Sequence, residues 1–261
     1  MAYLAVEIQE RILDHCAVSK ANNSIMYSCT LVCRAWVPRA QYHLFSSVFL
    51  NRTNIRLFIS AIERKPYLAC ATKSLHIDPG TDVCSILVPL VGRLGTLEEL
   101  TICPSLEKTN PALYMVAAQF TSIRKLTIVI HDKIASRRNL IRLICCFPFL
   151  EDLSIHFPTG GVLTDNPCSF PKLYYKSIIH LRMFFSRCAS FFQALQIFDR
   201  MTGCPSTMIG FRELKMVFSS VEDVSHHSKE TAHLLSRAGY PLLEVYLSFR
   251  REYLIYYTGI H

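Results

Sequence analysis

The sequence predicts an α/β protein: a short helical segment at the N-terminus, then an array of parallel strands and helices built by repetition. Two observations predict it. Apolar residues recur at helical spacing as far as residue 45, and from residue 70 onward one short alternating pattern returns seven times. Each element follows from one of these two periodicities.

The first helix is expected from Val6 to Cys16. Ile8, Ile12, Leu13 and Cys16 fit one helix face, with Glu7, Glu10, Arg11 and Asp14 on the other. Glu7 and Glu10 lie in the first turn, where carboxylates suit the helix dipole. Asn22 or Asn23 is the expected N-cap of a second helix carrying Ile25, Met26, Cys29 and Val32. A third is expected from near Cys33 to Phe45, with Trp36, Val37, Ala40 and Leu44 on one face and Pro38 in its first turns. A unit this small buries only a modest fraction of its surface. Leu4, Val6, Ile8, Leu13, Leu31, Val32 and Trp36 therefore cannot all be internal. The surplus must meet the rest of the chain or another protein.

The repeated kernel is an apolar residue, a variable one, then another apolar one. It stands at Leu75–Ile77, Leu100–Ile102, Leu126–Ile128, Leu153–Ile155, Leu181–Met183, Leu214–Met216 and Val245–Leu247. Successive kernels are 25, 26, 27, 28, 33 and 31 residues apart. Leu97, Ile123, Leu150, Ile178, Phe211 and Leu242 each stand three positions before a kernel. One strand per near-constant period is the signature of a solenoid. Helices are expected between strands at 139–147, 189–202 and 228–238. The last two end at Gly203 and Gly239, with Pro205 and Pro241 beyond. The aromatic tail Leu254–Tyr257 lacks the kernel. Two arrangements are expected for it: folding back over the open end of the array, or, the favoured one, a truncated and poorly ordered end.

The helical segment resembles the F-box, the module that plugs substrate receptors into SCF-type ubiquitin ligases. The resemblance rests on Leu4, Glu7-Ile8, Ile12-Leu13 and the block Leu31-Val32-Cys33-Arg34-Ala35-Trp36. The continuation from Pro38 to Phe45 is similar to the form common in fungal F-box proteins. The family's proline after the first leucine is Ala5 here. By resemblance, Leu4, Val6, Ile8, Ile12, Leu13, Leu31, Val32, Cys33 and Trp36 would hold a Skp-family adaptor, and through it a cullin ligase. The later array resembles a leucine-rich repeat in an irregular form. The family's asparagine after each strand is absent: Gly80, Ser105, His131, Pro158, Ser186, Ser219 and Arg250 stand there. Residues 1–50 are thus expected to form the F-box domain and 51–261 a leucine-rich-repeat-like solenoid, truncated at its C-terminus on the favoured reading of the tail.

Outward residues of the strands, Thr101, Thr127 and Ser154 among them, face the concave side, because side chains alternate across a strand. Glu99, Lys125, Asp152, His180, Arg182, Lys215 and Tyr246 are the candidate target-binding residues of that concave face. The net charge of +8 is spread over the repeats in no basic stripe, which favours an acidic protein target over nucleic acid. Eleven cysteines contain no C-x-x-C pair, so reduced apolar thiols are expected rather than zinc ligands or a disulfide framework. No phosphate loop, nucleophile elbow or metal-ligand spacing is present, so neither enzymatic activity nor a cofactor is expected. Without a leader or a spanning segment, a soluble cytoplasmic or nuclear protein is expected. Two functions follow: a ligase substrate receptor, or a non-ligase repeat scaffold whose F-box remnant is structural.

Overall fold

The computed structural model describes residues 5–18, 22–79, 81–105, 110–130, 134–157, 162–164, 178–185, 213–218, 244–249 and 254–258. The N-terminal apolar spacing forms three helices, α1 (Val6–Val18), α2 (Asn22–Val32) and α3 (Val37–Ser46). α3 starts later than the spacing suggests. Cys33 to Trp36 form a turn closed by the Trp36 N–H on the Cys33 carbonyl, and Pro38 occupies the first turn of the helix, where its missing N–H costs nothing. Asn22 and Asn23 lie inside the first turn of α2 rather than ahead of it. Leu13, Met26, Cys29 and Ala40 form the small core of the trio, with Cys16, Ala17, Trp36 and Leu44 partly buried against it.

Helix α3 runs directly into a strand, β1 (Ser47–Leu50). Then follow α4 (Ile55–Arg64), α5 (Pro66–Ala71) and β2 (Ser74–Ile77). α6 (Val83–Leu87) and a 3-10 turn (Val88–Leu90) lead to β3 (Glu99–Ile102). α7 (Pro111–Ala117), β4 (Lys125–Val129), β5 (Ile134–Ser136) and α8 (Arg137–Cys145) come next. The remaining elements are strands: β6 (Asp152–Phe157), β7 (Val162–Thr164), β8 (His180–Phe185), β9 (Glu213–Phe218), β10 (Glu244–Phe249) and β11 (Leu254–Thr258).

The main sheet has the order β1-β2-β3-β4-β6-β8-β9-β10-β11. Every neighbouring pair is parallel except β10 and β11, which are antiparallel. All seven kernels lie in strands, and their first residues pair across the sheet as Leu75, Leu100, Leu126, Leu153, Leu181, Leu214 and Val245. This register follows from burial. Leu75, Leu100, Leu126, Leu153 and Leu181 are all at 1% exposure or less, and a one-residue slip would turn every one of them to solvent. The protein is therefore a mixed α/β structure whose strands succeed one another in chain order. Strand β1 was not expected, although Val48-Phe49-Leu50 repeats the kernel 27 residues before Leu75, with Phe45 three positions earlier. It begins at Ser47, so the sheet already includes residues 47–50. A second, two-stranded sheet of β5 and β7 was also not foreseen.

Local chemistry starts the helices. Asp82 accepts hydrogen bonds from the Cys84 and Ser85 N–H groups, Asn110 from Ala112, and Ser136 from Asn139, each filling a donor that the helix cannot. Successive strands are also joined just before they begin. The Lys73 carbonyl accepts from the N–H groups of Glu98 and Glu99, that of Glu98 from Arg124 and Lys125, that of Arg124 from Glu151 and Asp152, and that of Glu151 from Ile179 and His180, all within 2.8–3.0 Å. Lys73–Glu98 and Arg124–Glu151 ion pairs span two of the same steps. These backbone clamps tie neighbouring turns at the strand entries.

The helix expected at 139–147 is α8, two residues earlier. Those expected at 189–202 and 228–238 lie outside the described residues. For the tail, β11 takes the fold-back arrangement, pairing Val245 with Tyr257 and Leu247 with Ile255, not the disordered one the sequence favoured. The described cysteines are free thiols, and only Cys29, Cys84 and Cys103 are buried. Cys33, Cys70 and Cys145 are exposed on turns and outer helix faces, which corrects the expectation of cysteines as core residues. No helix among the described residues is long and apolar enough to cross a membrane.

Candidate functional site

Two surfaces collect the residues singled out in the sequence. The first is the outside of the helical trio. Because the core needs only Leu13, Met26, Cys29 and Ala40 from the three helices, the remaining apolar side chains stay in water. Leu31 is 73% exposed, Val32 63%, Val6 62% and Ile8 49%, and Ile12 and Cys33 are also exposed. Ile8 and Ile12 stand one turn apart on α1, as do Tyr27 and Leu31 on α2, so each pair shares a face. Ile25 and Val32, seven residues apart, share another. Leu13, at 1% exposure, is internal and contributes nothing to this surface. Trp36 is half-buried: its indole N–H donates to the Gln9 Oε1 at 3.1 Å, joining the α3 entry to α1. Leu4 lies outside the described residues. Ile25 was named only for its helical spacing and Tyr27 not at all; their signal was the polar surroundings of α2, in which an apolar residue off the core face has nothing to pack on.

A polar clamp holds the trio in this arrangement. Arg39 donates from Nε and one terminal nitrogen to the two Asp14 oxygens, both at 2.7 Å, and His43 Nε2 lies 2.8 Å from Asp14 Oδ1. The hydrogen bonds from Arg39, then His43, bring the Asp14 carboxyl down to about 2. Arg39 also lies 5.3 Å from the centre of the Tyr42 ring.

The second surface is the exposed face of the main sheet. Burial alternates along each strand, so every second residue of β3, β4, β6 and β8 points outward. One row across these strands is Glu99, Lys125, Asp152 and His180. Its members pair with each other: Lys125 Nζ lies 2.6 Å from Glu99 Oε1, and His180 contacts Asp152 through Nδ1. The hydrogen bond that Lys125 donates to the Glu99 carboxylate holds its ammonium above the ordinary value. The next row is Thr101, Thr127, Ser154 and Arg182, and the same register continues to Lys215 and Tyr246 on β9 and β10. A third row includes Val129, His156 and Phe184. There the His156 and Phe184 rings stack at 4.2 Å and 9°. Burial pushes the His156 imidazole below its usual value.

The seven expected target-face residues thus fall in two adjacent rows of one sheet. The hydroxyls of Thr101, Thr127 and Ser154, the middle residues of their kernels, were expected to face outward, but the stacked rings beside them were not singled out. His156 and Phe184 occupy the third outward position of strands longer than the three-residue kernel, so extending the alternation would have found them. Among the described residues no group of His, Cys, Asp and Glu is placed to hold a metal ion. No protein-family model matches the chain, and no curated protein matches it.

Proposed function

We propose that this chain is a substrate-recognition subunit of an SCF-type ubiquitin ligase. Residues 1–50 act as an F-box that docks a Skp-family adaptor and through it the cullin, and the repeats hold a target protein. The single observation that carries this reading is the exposed apolar surface around Leu31 and Val32, in the six-residue block that gives the F-box resemblance. Exposed contiguous apolar surface on a small helical unit marks a docking site. The array is read as an irregular leucine-rich-repeat-like solenoid, supported by seven kernels in unshifted register and by the strand-to-strand backbone clamps. The receptor performs no chemistry. It raises the effective concentration of a target lysine near the charged conjugating enzyme.

Binding to a purified Skp-family adaptor tests the reading. A complex at micromolar concentration is expected, and Leu31→Ala should weaken it by about tenfold, the usual cost of truncating an interface anchor. If no adaptor of the host binds, the ligase reading falls and the chain is a non-ligase scaffold with a structural F-box remnant.

A further inference from the structure

Among the described side chains of the exposed sheet face, the charges are matched except at Arg182. Lys125 is paired with Glu99, and Asp152 with His180. At the strand entries Lys73 is paired with Glu98, and Arg124 with Glu151. Arg182 is half-buried, yet among the described residues its guanidinium has neither a hydrogen bond nor an ion pair. Its neighbours in the row behave alike. The hydroxyls of Ser154, Thr127 and Thr101 are half-buried and have no hydrogen-bond partner among the described residues. Register puts the four side by side on four adjacent strands. With strands about 4.8 Å apart, they form a strip roughly 14 Å long of unused polar groups.

The strip has distinct borders. On its N-terminal side runs the row of paired charges, whose described carboxylates, Glu99 and Asp152, can neutralise Arg182 only by breaking an existing pair. On its C-terminal side lies the His156–Phe184 stack. Burial lowers the His156 pKa from 6.5, so the ring is mostly neutral at pH 7 and presents an aromatic face rather than a second cation. The strip's polar atoms are open to solvent, and a ligand that supplies acceptors replaces that water with charge-assisted hydrogen bonds.

We infer that this strip binds an acidic, aromatic segment of the target protein: a side-chain carboxylate seated on Arg182, further acceptors on Ser154, Thr127 and Thr101, and a neighbouring aromatic ring against Phe184 and His156. The inference rests on the reading that the sheet face holds the target. A carboxylate matches the guanidinium fork two-pronged, and an added ring suits an existing stack. Charge complementarity selects acidic chains over basic ones.

The experiment uses the full-length chain and a fluorescein-labelled random copolymer of glutamate and tyrosine, followed by anisotropy. Polyglutamate, a lysine–tyrosine copolymer and a single-stranded RNA homopolymer are the comparators. The glutamate–tyrosine copolymer is expected to bind tightest and the lysine copolymer not at all. Arg182→Gln should weaken it by about tenfold, the worth of one charge-assisted pair. Phe184→Leu should remove about threefold, and only from the tyrosine-containing polymer. Circular dichroism and melting temperature are compared for each variant, and Arg182→Lys should retain part of the affinity. Equal binding by wild type and folded Arg182→Gln would overturn the inference, because the attraction would then be the diffuse pull of the +8 charge. Tighter binding of RNA, or no binding of acidic polymer, would overturn it too. Adaptor binding is measured on the same preparations. Loss of copolymer binding with adaptor binding intact refutes this inference alone, and the reverse refutes the ligase reading alone.

Discussion

The helical trio and the sheet array solve the same problem in opposite ways. The trio has three short helices and more apolar residues than they can cover, so Leu31, Val32, Val6 and Ile8 remain in water. In the array the described apolar kernel residues from Leu75 to Met183 are covered, and the first two outward rows of β3, β4, β6 and β8 are polar. A solenoid turn buries its apolar side against the next turn, whereas a small isolated unit has no next turn. The trio is accordingly held in part by polar contacts, Asp14 with Arg39 and His43, and the array by continuous leucine packing.

The sharpest way to break this comparison is to exchange the roles of two leucines. Leu153, at 0% exposure in the middle of the sheet, should cost about 2–5 kcal/mol when changed to alanine. Leu31→Ala should stay within about 0.5 kcal/mol of wild type in stability while losing adaptor affinity. Denaturant unfolding of both variants reads the difference. Equal destabilisation would show that Leu31 is packed, not presented.

A smaller effect separates the two regions by pH. Asp14 has its carboxyl lowered from 3.8 to about 2 by the folded trio. A depressed carboxyl stabilises the fold above its unfolded value, and that contribution is lost as pH falls from about 4 through 2. With the Asp14 side chain 40% exposed, screening limits the loss to about 1 kcal/mol or less. Trp36 is the chain's single tryptophan and packs in the trio, so its fluorescence reports this region alone. Acid titration should move the tryptophan-detected midpoint, and Asp14→Asn should abolish most of that movement. A coincident shift of the sheet-dominated dichroism signal would mean that the two regions unfold as one.

Smaller still is the response of the surface ion pairs between turns. Lys73→Ala and Glu151→Ala should each change stability by no more than about 0.5 kcal/mol, because the pairs are exposed and the backbone clamps beside them remain. A loss several times larger, by denaturant titration, would assign the ties between turns to the side chains. Thiol labelling gives the finest contrast. Burial raises the Cys146 pKa to about 11, so brief iodoacetamide treatment at pH 8 should modify Cys33 and Cys70 well before Cys146, as read by peptide mass spectrometry.

The sheet was largely legible because a strand's information is local. An apolar residue at every second position defines a buried face, and seven copies at a near-constant period define parallel order. Strand β1 escaped because Ser47–Leu50 follows α3 without a break, and the helical period masks a four-residue alternation. Strands β5 and β7 are three residues each, too short to show a period at all. In the trio, the surplus of apolar side chains was legible, but its assignment was not. Leu13 and Leu31 look alike in sequence, and only the way the helices pack put one inside and the other out.

By itself the sequence determined the positions of the seven kernel strands, their unshifted register, and the excess of apolar residues over the core that three short helices can build. These depend on spacing along one chain, which burial reads directly. Only the tertiary structure decided which residues of that excess face water, and that Arg182 lies beside three hydroxyls that, like it, have no partner among the described residues, while Glu99 and Asp152 are already paired. Those facts depend on atoms brought together from residues 25 or more positions apart, and a side chain's spare hydrogen bonds are defined only once its neighbours are in place.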